Sequence, residues 1–168
     1  MHNKKRLAAA ITAAAFIAFG PVFAEESAAP SPEAQADASR DLNGIQKLIS
    51  DALGLVGLRY RRGGTDAETG FDCSGFVGYL FKERLGLELP RTSKDISRTG
   101  EPVEKSELEP GDLVFFNTMR RAFSHVGIYL GNNQFVHSPR SGRAVRVEDM
   151  TDRYWAQSYN GARRVDSR

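Results

Sequence analysis

The hydrophobic periodicity of this chain changes once along its length, and the change limits the folds that it can adopt. Apolar side chains recur at helical spacing over residues 42–56 and again over residues 76–85. From Pro110 onward, apolar and polar residues alternate as they do in strands. This order predicts an α+β domain in which N-terminal helices pack on an antiparallel sheet of five or six strands. Four aromatic residues are expected in its core: Phe115, Phe116, Phe135 and Trp155.

Turn residues divide this pattern into elements. Gly57 ends the first expected helix, the Gly63-Gly64 pair marks a turn, and Gly86 closes the second helix, which starts near Cys73. A shorter helix is expected within residues 90–100. The expected strands lie in GDLVFFN, in a hairpin SHVGIYLGNNQFVHS, in AVRVEDM and in YNGARRV. The segment MTDRYWAQSY is either one helical turn or an irregular aromatic link.

The first 24 residues have the three parts of a secretory signal peptide. Cationic residues at 4–6 precede an apolar run over residues 7–19, and a small-residue cleavage site ends at Ala24. The apolar run is too short for a membrane span, so we expect a mature chain without a transmembrane segment. An uncleaved N-terminal anchor is the alternative. No cysteine directly follows the apolar run at the cleavage site, so we expect a periplasmic or secreted protein that is not lipid-anchored.

Residues 25–40 are rich in Ala, Ser, Pro and Glu, a composition typical of a disordered leader. We expect residues 41–168 to form one domain of ordinary size. Residues 1–24 hold three of the 23 basic side chains and none of the 21 acidic ones, so the mature chain is close to neutral. This balance, with Arg and Lys scattered, provides no electrostatic basis for binding nucleic acid.

Cys73 is the only cysteine of the chain, although cysteines of exported proteins usually occur in pairs as disulfides. Composition alone leaves open a buried small hydrophobe or a reactive thiol. Cys73 falls in the first turn of the second expected helix, between Asp72 and Ser74, which are most simply helix caps. A helix N-terminus and an adjacent imidazolium can lower a thiol pKa from about 8.5 to about 3.5–7.5. We therefore expect a lowered pKa for Cys73.

His125 and His137 lie on the two arms of the expected hairpin. A two-residue loop would put their rings on opposite faces, whereas a three-residue loop at 131–133, or an added bulge, would put them on the same face. Because Gly and Asn permit the left-handed backbone of the three-residue loop, we predict that odd loop. We also expect His125 to face the helix that starts at Cys73.

A thiol and two imidazoles in this arrangement suit nucleophilic hydrolysis of an amide. Cys73 would attack, His125 would take the thiol proton and later protonate the leaving amine, and His137 would fix the tautomer of His125. Backbone N–H groups at the helix start, and more weakly the Tyr60 hydroxyl, are candidate donors to the oxyanion. Taken singly, each histidine is more simply a structural or solvated residue, and Tyr60 a packing residue.

Six stretches in order along the chain resemble one known family: RYRRGG, GFDCSGFV, LELPRTS, EPGDLVFF, HVGIYLGNNQFVHS and YWAQSYNGARRV. The chain resembles the NlpC-type cell-wall peptidases, papain-like cysteine hydrolases of bacterial peptidoglycan. The resemblance implies the same nucleophile, base and third polar residue as the spacing does: Cys73, His125 and His137. It also implies that Tyr60 lies beside the nucleophile and that Asp72 and Ser74 border the stem-peptide subsite. We expect no metal and no cofactor.

Members of this family hydrolyse amide bonds in peptidoglycan peptides. Many cut between D-glutamate and diaminopimelate, whereas the members that this chain resembles most cut the D-alanyl–diaminopimelate crosslink, and the resemblance favours the crosslink. Those members carry an N-terminal lipidated cysteine that this sequence lacks, so anchoring to the outer membrane is not expected. The expected partners are peptidoglycan stem peptides or crosslinks. A monomer is expected, and a regulatory protein partner is left unidentified.

Three other interpretations compete with this one. A metal site is disfavoured because the sequence lacks a paired-ligand motif such as H-E-x-x-H or C-x-x-C. A crosslink-forming cysteine transpeptidase typically has His and Cys close together, whereas His125 lies well downstream of Cys73. A non-catalytic peptidoglycan-binding protein is disfavoured because the thiol and both imidazoles are intact.

Overall fold

A computed structural model describes residues 32–118 and 120–165 of the chain. Its helices are α1 (Pro32–Gly54), α2 (Cys73–Leu85), α3 (Ser93–Ile96) and α4 (Arg153–Ser158), and a 3-10 turn spans Lys105–Glu107. Its strands are β1 (Thr65–Asp66), β2 (Gly70–Phe71), β3 (Glu101–Val103), β4 (Leu113–Phe116), β5 (His125–Gly131), β6 (Gln134–His137), β7 (Arg146–Asp149) and β8 (Tyr159–Arg164). The expected signal peptide at residues 1–24 lies outside the described residues.

Helix α1 begins at Pro32 rather than at residue 42. The expected disordered leader over residues 25–40 is therefore corrected for residues 32–40, which are helical. Proline suits the first turn of a helix because its missing N–H would be unpaired there, and the Ala, Glu and Gln that follow are good helix formers. None of the described helices is long and apolar enough to cross a membrane.

Helix α2 starts and ends where the sequence predicts. The Asp72 carboxylate accepts a hydrogen bond of 2.8 Å from the Gly75 N–H, and Gly86 closes the helix with a left-handed backbone at φ 68°. Phe76 and Phe81 are buried in a core that also contains Leu48 of α1. Capping and burial together fix the start of α2, and with it the position of Cys73.

Six strands form one antiparallel sheet in the order β3-β8-β4-β5-β6-β7, which confirms the expected α+β class. Strand β8 is last in the chain but lies inside the sheet, between β3 and β4. The short strands β1, β2 and β3 were not predicted, since two or three residues are too few to show an alternating pattern. The segment MTDRYWAQSY contains the helical turn α4.

The two faces of the sheet have separate cores. Val126 and Ile128 of β5 pack in the core that the helices α1 and α2 share. The opposite face carries an aromatic cluster that includes Phe116, Phe135 and Trp155. The expected burial of the four aromatic residues is confirmed, with Trp155 the most exposed of them at 7%.

His125 lies on the aromatic side of the sheet, where its ring contacts Phe116 and Trp155. The prediction that His125 faces the helix layer was therefore wrong. The helices need an apolar surface, and the alternate residues Val126 and Ile128 provide it. Cys73 instead lies near the beginning of β5, where the backbone N–H of Val126 acts to lower the pKa of the thiol.

The β5–β6 hairpin has a two-residue turn and a bulge instead of the predicted three-residue loop. Asn132 and Asn133 form the turn with positive φ angles of 51° and 61°, as a type I′ turn requires. The pairing of the strands shifts by one residue between Tyr129 and Gly131, so that β5 accommodates one extra residue.

This extra residue has the same effect on side-chain direction as the predicted odd loop. Ile128 pairs with Val136, so the register continues to place Gly127 opposite His137. His125 is two residues from Gly127 and therefore shares its face. The predicted outcome, both rings on one face of the hairpin, is present, although the bulge and not the loop produces it.

We predict that Gly127→Ala destabilises the protein and displaces His137. A Cβ at position 127 would lie 2.7 Å from Phe135 Cδ2, 2.9 Å from the Val136 carbonyl oxygen and 3.2 Å from His137 Cβ. We expect the free energy of unfolding to fall by about 1–3 kcal/mol, as for other overpacked core positions. Urea unfolding measures this change.

Gly78→Ala is the matched control because it adds the same methyl group in α2, where nothing lies within 4 Å of the new Cβ. Alanine is favoured over glycine inside a helix, so stability should rise by about 0.5–1 kcal/mol. Equal stability of the Gly127→Ala variant and the wild-type protein would contradict the close packing behind His137.

Candidate active site

Cys73 lies in the wall of an open groove with a volume of about 680 Å³. Cys73 as a residue is partly exposed, and Tyr60 and His125 line the same groove. Thr118, which follows β4, and Pro139, which follows β6, also line it. The structure thus brings the predicted nucleophile and base to one surface.

Backbone pairing holds Tyr60 next to the start of α2. The N–H of Arg61 donates to the Phe71 carbonyl at 2.9 Å, and the N–H of Tyr60 donates to the Arg143 carbonyl at 2.9 Å. Phe71 is only two residues before Cys73. The Ser138 hydroxyl donates to the same Phe71 carbonyl at 2.8 Å, which ties the segment to the residue after His137.

The two histidines form a direct hydrogen bond. His125 Nε2 lies 2.6 Å from His137 Nδ1, and the two ring planes are at 87° to each other. Both rings are buried, and the indole of Trp155 stacks on His125 with ring centroids 5.8 Å apart. Since Nε2 of His125 is used in this bond, its Nδ1 is the nitrogen left to interact with a thiol.

The thiol and the imidazole next to it are both neutral in the resting protein. Burial, followed by the neighbouring Asp72 carboxylate, raises the pKa of Cys73 to about 11, although backbone N–H groups including that of Val126 act in the opposite direction. Burial lowers the pKa of His125 to about 4. The expected lowering of the Cys73 pKa is therefore wrong for the unliganded protein, because loss of water around the sulfur outweighs the helix N-terminus.

The Tyr60 hydroxyl is available as a hydrogen-bond donor. Burial, and then the proximity of Cys73 and Asp72, raise the pKa of Tyr60, so its hydroxyl keeps its proton at neutral pH. A protonated hydroxyl beside a nucleophile can donate to an oxyanion that forms there. The predicted role of Tyr60 stays a prediction, and its position in the groove is compatible with it.

Asp72 and Ser74 are engaged in contacts within the protein. Arg91 donates to the Asp72 carboxylate at 2.6 Å and to the Ser74 hydroxyl at 2.9 Å, and the Gly63 N–H donates to Asp72 at 3.0 Å. Burial opposes ionisation of Asp72, but the hydrogen bonds from Arg91 and Gly75 outweigh it and hold the pKa of this carboxyl below its usual range. These contacts are those of a helix cap, and the substrate-binding role of both residues stays a prediction.

Sequence reasoning missed three groups around this site. Arg91 is part of the quoted LELPRTS stretch, but nothing in that stretch indicates its ion pair with Asp72. Glu148 lines the groove and lies 4.0 Å from His137, and Trp155 was expected only as a core residue. The alternation of charged residues in AVRVEDM was the one available signal for Glu148, since it places Arg146 and Glu148 on one face of β7.

The donor atoms of the site are arranged for proton transfer. Within residues 32–118 and 120–165, no three His, Cys, Asp or Glu side chains are grouped closely enough to hold a metal ion. One imidazole nitrogen of each histidine is instead engaged in the hydrogen bond between His125 Nε2 and His137 Nδ1. This geometry fits a nucleophile with a base and an orienting group.

Comparison with known proteins adds relatives of named activity. The chain is 48% identical over 129 residues to the Escherichia coli (strain K12) murein DD-endopeptidase MepS/murein LD-carboxypeptidase, covering 77% of this chain and 67% of that protein. It is 38% identical over 143 residues to the murein DD-endopeptidase MepH of the same strain, covering 83% of this chain and 53% of MepH. The chain thus spans about half to two thirds of the length of these relatives.

Solved structures share the fold. An NlpC/P60 family protein from Bacillus cereus superposes with a TM-score of 0.67 at 37% identity, covering 71% of this chain and 39% of that chain. The peptidoglycan hydrolase RipB from Mycobacterium tuberculosis superposes with a TM-score of 0.65 at 26% identity, covering 83% of this chain and 73% of that chain. The sequence profile of the NlpC/P60 family matches residues 57–164, more than half of the chain. The chain therefore belongs to the NlpC/P60 family.

Proposed function

We propose that this chain is a peptidoglycan endopeptidase that hydrolyses amide bonds with Cys73 as nucleophile, His125 as base and His137 as orienting group. The observation that carries the proposal is the bond of 2.6 Å between His125 and His137 at the groove that Cys73 also lines. The relatives named murein DD-endopeptidases support peptidoglycan as the substrate class.

The neutral resting state defines the first step. His125 Nδ1 takes the proton of the Cys73 thiol as the sulfur attacks the substrate carbonyl carbon, and the carbonyl oxygen becomes an oxyanion. Backbone N–H groups at the start of α2 and the Tyr60 hydroxyl are the donors that we propose for this oxyanion. Proton transfer and attack are thus coupled, because a separate thiolate is unfavourable in this environment.

The intermediate then collapses with proton return. The C–N bond breaks, the imidazolium of His125 gives its proton to the leaving amine, and an acyl-thioester on Cys73 remains. Water attacks the thioester while His125 takes one of its protons. The C–S bond then breaks, His125 returns that proton to the sulfur, and the released carboxylic acid loses its remaining proton to solvent. The enzyme returns to its initial state without a cofactor.

We propose the D-alanyl–diaminopimelate crosslink as the bond that is cut. The names of the relatives MepS and MepH support a DD-endopeptidase. The D-glutamyl–diaminopimelate bond is the alternative, and a relative named gamma-DL-glutamyl hydrolase in Bacillus subtilis, 37% identical over 121 residues, supports it. We further propose that residues 1–24 direct export, so that the domain at residues 41–168 acts on the cell wall from the periplasm or outside the cell.

The positive charge in a cleft next to the groove favours a substrate with carboxylates. A second cleft, of about 650 Å³, lies beside the groove and shares Tyr60 and Arg146 with it. Arg59 and Arg143 also line this cleft, and both are exposed. In a chain that is close to neutral overall, this local positive charge is a place for the carboxylates of a stem peptide.

We predict that Cys73→Ala abolishes cleavage of purified crosslinked muropeptides, with kcat lowered on the order of 10⁴-fold or more. Mass spectrometry of the wild-type products identifies the bond. Crosslink cleavage yields monomers with complete stems, whereas D-glutamyl–diaminopimelate cleavage yields shortened stems. A thiol-blocking reagent should have the same effect as Cys73→Ala, and a chelator should have none. Undiminished cleavage by a folded Cys73→Ala variant would end the nucleophile assignment.

We predict that alkylation of Cys73 by iodoacetamide in the unliganded protein accelerates with pH up to about pH 11. Only the thiolate reacts, and below its pKa the thiolate fraction rises about tenfold per pH unit. Hydrolysis needs neutral His125, so kcat/KM should decline only as the pH approaches about 4. An alkylation rate that is constant between about pH 5 and pH 8 would show a preformed thiolate–imidazolium pair and contradict the neutral resting state.

We predict that Arg143→Gln raises KM for muropeptides about three- to tenfold, equivalent to about 0.6–1.4 kcal/mol, and leaves kcat nearly unchanged. The difference from wild type should shrink at high salt, because exposed charges are screened. Lys94→Gln is the matched control, since Lys94 is exposed on α3 and lines neither cleft. An equal change in KM for both variants would show that the position of Arg143 is irrelevant.

A further inference from the structure

The inner nitrogen of the second histidine faces a carboxylate. His137 Nε2 is fully buried and has no hydrogen-bond partner among the described residues. Glu148 Oε1 lies 4.0 Å from it, and the Glu148 side chain is itself only 17% exposed. The distance is longer than a hydrogen bond, so the two groups interact through the charge of the carboxylate in a region with little water.

Neighbouring residues fix the position of Glu148. Trp155 Nε1 donates to Glu148 Oε2 at 3.1 Å, which leaves Oε1 directed towards His137. Arg146 forms an ion pair with Oε1 of the same carboxylate. The pairing of β6 with β7 places Arg146 opposite His137 and Glu148 opposite Phe135, so the sheet register positions the whole group.

We propose that Glu148 is a positioning residue that selects the tautomer of both histidines. The carboxylate favours the His137 tautomer with its proton on Nε2, because a lone pair at Nε2 would be repelled by it. Nδ1 of His137 is then an acceptor, so the bond to His125 requires the proton of His125 on Nε2. The Nδ1 lone pair of His125 is left for the groove, where a base is needed.

The opposite tautomers would have the opposite consequence. With the proton of His137 on Nδ1, His125 would accept through Nε2 and carry its own proton on Nδ1. That nitrogen would then have no lone pair for the thiol proton. Glu148 thus sets, through two rings, which nitrogen of His125 can act as base. The effect on catalysis rests on the proposed function, but the tautomers themselves do not.

The same carboxylate acts on the charged intermediate. When His125 holds the thiol proton, positive charge develops in a buried pair, and a carboxylate nearby offsets part of that cost. The other charged residues that line the groove are Arg140, Arg146 on β7 and Asp152 just before α4. Arg146 opposes the positive charge. Glu148 is the acidic group that lies against His137.

NMR of the protein labelled with ¹⁵N-histidine tests the proposal directly, because imidazole ¹⁵N shifts report which nitrogen carries the proton. Wild-type protein near pH 7 should show both His125 and His137 protonated on Nε2. Glu148→Gln should give mixed tautomers, since an amide can present either its oxygen or its NH₂ group to His137. We expect kcat of this variant to fall about three- to tenfold with KM unchanged.

Two further variants test whether the tautomers depend on the carboxylate at position 148 or on any negative charge in the groove. Glu148→Asp keeps the carboxylate and should keep the wild-type tautomers. Asp152→Asn removes the same charge from an exposed residue that lines the same groove and should leave the histidine signals unchanged. Thermal unfolding monitors the integrity of each variant.

The NMR result stands apart from the enzymatic one. Unchanged ¹⁵N signals in Glu148→Gln, or Nδ1-protonated rings in the wild-type protein, would overturn the role of Glu148 whatever the activity is. Where Glu148→Gln does not fold, Nδ1-protonated rings in the wild-type spectrum still overturn the role of Glu148, and changed tautomers in the Glu148→Asp spectrum contradict it as well. Loss of tautomer selection in Glu148→Gln, combined with full activity of Cys73→Ala, would instead retain the role of Glu148 and reject the proposed function.

Discussion

The hydrogen bond between His125 and His137 depends on a single extra residue in one β-hairpin. A regular two-residue turn would leave the rings on opposite faces of the sheet, since side chains alternate along each strand. The bulge between Tyr129 and Gly131 restores the common face. Gly127 then gives the second ring the space that a Cβ would occupy. The hydrogen bond between the two buried imidazoles, and therefore any function of the groove that uses it, depends on this register.

Burial of the pair has an electrostatic consequence that shapes the chemistry. Removal of water holds His125 neutral and keeps the proton on Cys73. In the proposed mechanism, Cys73 and His125 are therefore both neutral before the substrate binds, and the proton moves as the sulfur attacks the carbonyl carbon. A protonated thiol is also less readily alkylated or oxidised than a thiolate, which suits a cysteine that has no disulfide partner.

The parts of the fold that depend on local rules were predictable, and those that depend on packing were not. Capping residues set the limits of α2, and the hairpin was evident from alternation around Gly131 and the two asparagines. Which face of β5 meets the helices was predicted wrongly, because period-two alternation defines two faces without saying which layer covers each. Glu148 escaped notice because its partner His137 belongs to another strand, and sequence alone does not determine the register between strands.

The proposed catalytic centre and the groove walls have different origins in the chain. Cys73 and the two histidines sit on a capped helix and paired strands, and Arg91 locks the helix start through Asp72 and Ser74. Part of the groove wall comes instead from loop residues, namely Thr118, Ser124, Pro139 and Arg140. Relatives with this domain carry names as different as murein DD-endopeptidase and gamma-DL-glutamyl hydrolase. We infer that the groove walls, rather than the proposed catalytic centre, select the bond to be cut, because loops tolerate change without disturbing the sheet register.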